Sequence, residues 1–178
     1  MSPRLFASAL GASLVTSASA PAQAFEEEWH LGAHVGYALS SFAVGPASGF
    51  GAGLLGSYGI TDAVNLRLGG DVTIVDIPPP ETSALIYTAN AGAEYVLDTL
   101  DWVVYAGALT GPVNVSIQQG PDLWNLGFFV PFGVMYRFGD HWAAGGEGQW
   151  RLFLFGPDGS PVNNLMFGGR FEFRFGGT

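Results

Sequence analysis

His30 and His34 stand four residues apart. On a helix that spacing would present two imidazoles to one metal ion. On an extended strand it separates the side chains by about 13 Å, so interior hydrogen-bonding groups are expected here and no metal site. The stretch Gly51-Ala52-Gly53-Leu54-Leu55-Gly56 matches G-x-G-x-x-G. It lies inside an alternating segment and opens no helix, so the context for dinucleotide binding is missing and no cofactor is expected. Glycine on such a segment leaves room for large neighbours and permits curvature. A hydrolytic triad needs nucleophile, base and orienting acid within hydrogen-bond reach. Ser40, Ser41, Ser48 and Ser116 fall at one end of their segments, whereas His30, His34 and His141 fall low, midway and in a tight turn. The base is missing where the nucleophiles are, and no catalytic residue is expected.

The elements that carry these residues alternate at period two, the signature of strands with two unlike faces. Eight such segments are legible. Trp29, Leu31, Ala33, Val35, Tyr37 and Leu39 share one face of the first, and Phe50, Ala52, Leu54, Tyr58 and Ile60 share one of the second. Leu66, Leu68, Val72 and Ile74 mark the third, and Leu85, Tyr87, Ala89, Ala93, Tyr95 and Leu97 the fourth. Leu126, Phe128, Val130, Phe132, Val134 and Tyr136 mark the sixth; Trp142, Ala144, Trp150 and Leu152 the seventh; Leu165, Phe167, Phe171, Phe173 and Phe175 the eighth. The fifth, from Trp102 to Ser116, carries Val103-Val104 and Tyr105-Ala106 in succession, and its phase stays open. Tight connections at Thr61-Asp62-Ala63, Asp98 to Asp101 and Gly139-Asp140-His141 interleave with longer ones at Ala43 to Ser48, Pro78 to Thr82, Gln118 to Leu123 and Pro157 to Val162.

The charges follow the phase set by the apolar residues. Arg67, Arg137, Arg151, Arg170 and Arg174 all fall on the opposite face, with Glu28, Asp71, Glu94, Glu147 and Glu172. An arginine on a lipid-facing strand position costs about 2–4 kcal/mol at mid-membrane, so five of them dictate which face is inside. Five guanidiniums and five carboxylates can then pair in a lumen, and Arg170 is expected to meet Glu147, with Asp71, His34 and Arg67 nearby. The other ten acids, Asp98 among them, are expected at termini, turns and loops. A soluble barrel would instead hide its aromatics and scatter lysine outside, and this chain has no lysine.

Only 12% of residues are charged, about half the share usual in soluble domains, and mean hydropathy is positive. No apolar run after the N-terminal region is long enough for a spanning helix. Closed barrels are the other structure that satisfies every backbone group in lipid. Residues 1–24 read as a signal peptide ending in Ala22-Gln23-Ala24, leaving residues 25–178 as one barrel domain with a formal charge of −10, from five arginines against fifteen carboxylates. So acidic a chain, without a basic patch, excludes nucleic acid as a partner. The absence of cysteine fits an exported protein that needs no disulfide.

Signal peptide, eight alternating segments, short turns and the closing stretch FGGRFEFRFGGT together resemble the small OmpA/OmpX-type outer-membrane barrels. The resemblance covers the whole of residues 25–178 and is architectural rather than carried by a residue motif. It implies an eight-stranded antiparallel up-and-down transmembrane β-barrel in a bacterial outer membrane, both termini periplasmic, recognised by barrel-assembly machinery through its aromatic final strand. It departs in ending on Gly176-Gly177-Thr178 after Phe175. Trp29, Tyr58, Tyr95, Tyr136 and Trp142 are expected at the periplasmic interface, where amphipathic rings prefer to sit. Outer-membrane lipid and lipopolysaccharide are the expected partners of a monomer. Eight strands leave a lumen just wide enough for side chains to fill, so a porin-sized channel is excluded. A structural or interaction role is favoured; a narrow pore and a lipid-modifying enzyme are the alternatives.

Overall fold

The computed structural model describes residues 27–42, 45–77, 82–118, 122–155 and 159–176. The expected signal peptide and its cleavage site lie outside these residues. Eight strands follow one another: β1 (Glu28–Phe42), β2 (Gly45–Thr61), β3 (Val64–Ile77), β4 (Thr82–Thr99), β5 (Trp102–Ile117), β6 (Asp122–Arg137), β7 (Trp142–Phe153) and β8 (Val162–Gly176). Each pairs antiparallel with the next, and β8 closes on β1 from Glu28↔Gly176 to Ser41↔Asn163. Closure removes both sheet edges, so every strand finds its backbone partners on two sides. Among the described residues no helix is long and apolar enough to cross a membrane.

The alternating faces separate as expected. Phe50 and Leu54 on β2 are 68% and 71% exposed on the outer surface, while Leu55 and Ser57 on the opposite face are buried. A continuous apolar outer surface of this kind is stable in lipid and not in water, which makes this a transmembrane barrel. The fifth strand, open in phase from sequence, turns Val103, Tyr105, Leu109, Val113 and Val115 inward and Trp102 and Val104 outward.

Three tight turns gather at the end of the barrel that also carries both ends of the described chain, here the turn end. One of them places Leu100 at φ 61 and another Gly139 at φ 80; the second suits glycine, the first strains leucine. The other end is the loop end. Of the stretch Ala43 to Ser48, expected as a loop, the described residues 45–48 are strand, because β1 and β2 stay paired up to Phe42↔Gly45.

Candidate functional site

The lumen holds the chemistry-bearing residues, and the register stacks them in tiers along the axis. In the middle tier Arg67 and Arg170 face each other across two shared carboxylates. Arg67 Nη1 lies 2.5 Å from Glu94 Oε1 and 3.2 Å from Glu147 Oε2; Arg170 Nη1 lies 3.1 Å and 2.8 Å from the same two oxygens. Arg170 also pairs with Glu172 on its own strand, and its guanidinium sits 4.3 Å from the Tyr105 ring centre. The Tyr105 hydroxyl donates to Glu147 Oε2 at 2.9 Å. All these side chains are buried, so each charge depends on its partners rather than on water.

Toward the loop end, Arg151 Nη1 lies 2.7 Å from Asp71 Oδ1, and the Thr88 hydroxyl donates to Asp71 Oδ2 at 2.6 Å. Toward the turn end, Arg137 Nη1 lies 2.5 Å from Asp98 Oδ2. Arg174 reaches Glu28 at 3.7 Å and donates to the Asp140 carbonyl at 3.1 Å. Asp98 therefore belongs with the lumenal groups and not with the turn acids, where the sequence placed it. It is the second-last residue of β4 and its side chain is 7% exposed. Among the described residues the lumenal count becomes six carboxylates against five guanidiniums.

Glycine makes this packing possible on β2. A Cβ at Gly53 would lie 2.6 Å from Asp71 Cβ, the Gly70 carbonyl and the His34 ring alike. Part of the dinucleotide-like motif is thus space for the lumenal network. His34 is 6% exposed and packs among these groups.

Toward the loop end the lumen becomes mainly apolar, with the buried Asn164 amide donating to the Ser40 hydroxyl among the hydrophobic side chains; the sequence had shown this only in fragments. Phe42, Ile77, Ile86, Val113, Phe129 and Phe153, with further apolar residues from β1 to β5 and β8, form one buried cluster. Phe129 and Phe153 sit 6.4 Å apart between ring centres. A smaller cluster of Val96, Val103, Tyr105, Met135 and Ala143 lies on the turn side. The smaller cluster separates the middle ion pairs from the Arg137–Asp98 pair at the turn end. Leu55, Phe129 and Met135 point inward and are each buried.

A nucleophile–base–acid set can be drawn on paper at the turn side. Ser57 stands opposite His30 across β1 and β2, and His30 Nδ1 lies 3.4 Å from Glu172 Oε2. The Ser57 hydroxyl has no hydrogen-bond partner among the described residues, and His30 Nε2 faces Glu28 Oε2 at 3.7 Å. The ring is held between two acids and does not address the serine. Among the described residues no group of three His, Cys, Asp or Glu is placed to hold a metal.

The five aromatics expected at one interface all fall at the turn end. Trp29 packs on Tyr58 at 4.8 Å, Tyr136 on Trp102 at 5.1 Å and Trp142 on Phe173 at 4.6 Å between ring centres, and Tyr95 is 53% exposed. Trp102 joins them, missed because the phase of β5 was open. At the loop end Trp124 and Phe155 are exposed, and Asn125 fixes the second by accepting from the Phe155 N–H at 3.1 Å.

No family model and no curated protein sequence matches the chain. Its structure is similar to that of Neisserial surface protein A, with a TM-score of 0.72 at 20% identity over 84% of this chain and 100% of that one. It is also similar to the N-terminal β-barrel domain of Pseudomonas aeruginosa OprF, with a TM-score of 0.55 at 17% identity over 84% and 98% of the two chains. A third likeness is to Ail, the attachment invasion locus protein of Yersinia pestis, in complex with the heparin analogue sucrose octasulfate. There the TM-score is 0.56 at 13% identity over 84% and 99%. The chain has the fold of the small eight-stranded outer-membrane β-barrels.

Proposed function

We propose that this chain is an integral protein of the bacterial outer membrane, with a sealed lumen and a structural or interaction role in the envelope. The observation that carries the proposal is the layered interior. A pore needs a continuous polar path, whereas here Phe42, Ile77, Phe129 and Phe153 close the lumen above the buried ion pairs. An ion leaving water for that apolar layer would lose its hydration without gaining a counter-charge, a cost of many kcal/mol. The buried charges below it are engaged with one another, each arginine paired with at least one carboxylate.

In this reading the turn end, with its aromatic ring, faces the periplasm, as short turns do in barrels of this class. Partners are lipid and lipopolysaccharide along the apolar band, and assembly machinery that meets the aromatic β8 during insertion. The chain acts as a monomer. The polyanion bound by Ail does not carry over. All five arginines of strands β3 to β8 are buried in the lumen, and the loop end instead shows the exposed acids Asp76 and Asp122. Catalysis has no support from geometry, since His30 and His34 are enclosed.

Single-channel recording in planar bilayers tests the proposal. The sealed barrel gives no current steps above the lipid baseline. Reproducible unitary steps would replace it with the narrow-pore reading.

A further inference from the structure

One corner of the lumen is polar, enclosed and of a definite size. Between the middle ion pairs and the turn-side apolar cluster lies a cavity of about 10 Å³. Asn65, Glu94, Arg170 and Glu172 form its polar wall, and Val103 and Met135 face them. That volume suits the centre of one water molecule and nothing larger.

Asn65 supplies the independent sign of a ligand. Its side chain is 3% exposed, and its Oδ1 atom has no hydrogen-bond partner among the described residues. Leaving such an acceptor buried and unpaired costs about 1–3 kcal/mol. The neighbouring groups cannot easily relieve it. Glu94 and Glu172 are themselves acceptors, Arg170 already directs its donors at Glu94, Glu147 and Glu172, and His30, also on the wall, faces Glu172 and Glu28 with its ring nitrogens. With Glu94 and Glu172 on its wall against Arg170 as the one guanidinium, this corner is rich in acceptors.

We propose that the cavity is a binding site for a single water molecule, which gives one hydrogen to Asn65 Oδ1 and the other to the Glu94 or Glu172 carboxylate. Water is the small ligand that brings two donors at once. A metal ion does not fit, because no set of three His, Asp or Glu ligands converges here among the described residues. An apolar occupant would leave the Asn65 oxygen on the polar wall without a donor. The site concerns the lumen itself and stands whether or not the barrel has a structural role.

The test uses the folded barrel in lipid nanodiscs with methyl-labelled Met135 and Val96, reading cross-peaks between those methyls and long-lived water. The wild-type chain should show a cross-peak at Met135. Asn65→Leu, which removes the acceptor and keeps the bulk, should abolish it. Val103→Ile, which fills the cavity from the apolar side and leaves every polar group in place, should abolish it too. That second variant carries the test if Asn65→Leu fails to fold, as judged by the mobility of unboiled protein on a gel. No cross-peak in the wild type, as expected if Asn65 turns its amide to donate directly to Glu94, overturns the proposal. So does a cross-peak that survives Val103→Ile.

Discussion

Replacing Arg170 by Met should destabilise the barrel more than any other single loss of charge. The guanidinium is 3% exposed and meets Glu94 at 3.1 Å, Glu147 at 2.8 Å and Glu172 on its own strand. Methionine keeps most of the volume and removes the charge. Arg67 remains to bridge Glu94 and Glu147, but Glu172 is left with His30 at 3.4 Å. Removing one member of a buried ion pair costs about 3–5 kcal/mol, because the surviving charge stays buried without compensation. Set against a typical stability of about 5–15 kcal/mol, that loss should be plain in urea unfolding from lipid vesicles, followed by tryptophan fluorescence and by gel mobility of unboiled samples. Arg174→Met provides the contrast. Arg174 sits at the turn-end mouth, its nearest carboxylate 3.7 Å away on the partly exposed Glu28, so its loss should cost about 1 kcal/mol. Adding Glu172→Gln to Arg170→Met should recover part of the loss, since the two groups are coupled. Equal losses for Arg170→Met and Arg174→Met would refute the reasoning, because they would mean that the middle tier carries no special burden.

Three further outcomes follow from the same geometry. Gly53→Ala should cost about 1–3 kcal/mol by overpacking, since its Cβ would lie 2.6 Å from the Gly70 carbonyl, while Gly56→Ala, whose nearest neighbour would be 3.7 Å away, should be neutral in the same unfolding assay. Leu68→Arg, on an outer position 66% exposed, should lower refolding stability in vesicles by about 2–4 kcal/mol and have far less effect in mild detergent. Leu100→Gly should raise the unfolding midpoint by relieving the left-handed backbone at φ 61, a gain of about 1 kcal/mol.

The sequence made the barrel legible wherever the two faces differ in chemistry. On β6, Leu126 to Tyr136 alternate outward without a break, and on β8 Arg170, Glu172 and Arg174 interleave with Phe171, Phe173 and Phe175. On β5 the contrast vanished because the lumen itself is apolar there: Val103, Leu109, Val113 and Val115 point inward and are as hydrophobic as their outward neighbours. Asp98 was misplaced for a related reason. It adjoins a turn and was read with the turn acids although it is in phase with Glu94, and the pairing of β4 with β5, Asp98↔Val103, shows that the strand still holds it on the inward face beside Arg137. The layering of charged and apolar tiers was invisible because alternation sets the face of a residue but not its height. Height depends on register between strands, which the pairing supplies. Ser57 escaped notice similarly, since its place opposite His30 is a matter of register alone.

The central claim is a transmembrane barrel whose lumen is filled and closed to water. Spin labels placed singly at every position from Leu126 to Arg137 on β6 test both halves of it together, the chain having no cysteine of its own to interfere. The account predicts a strict period of two. Labels at 126, 128, 130, 132, 134 and 136 should be open to oxygen dissolved in lipid, and those at 127, 129, 131, 133 and 135 closed both to oxygen and to a water-soluble nickel chelate. Odd positions open to the chelate along the whole strand would reveal a water-filled channel, and the loss of the period would contradict the barrel itself.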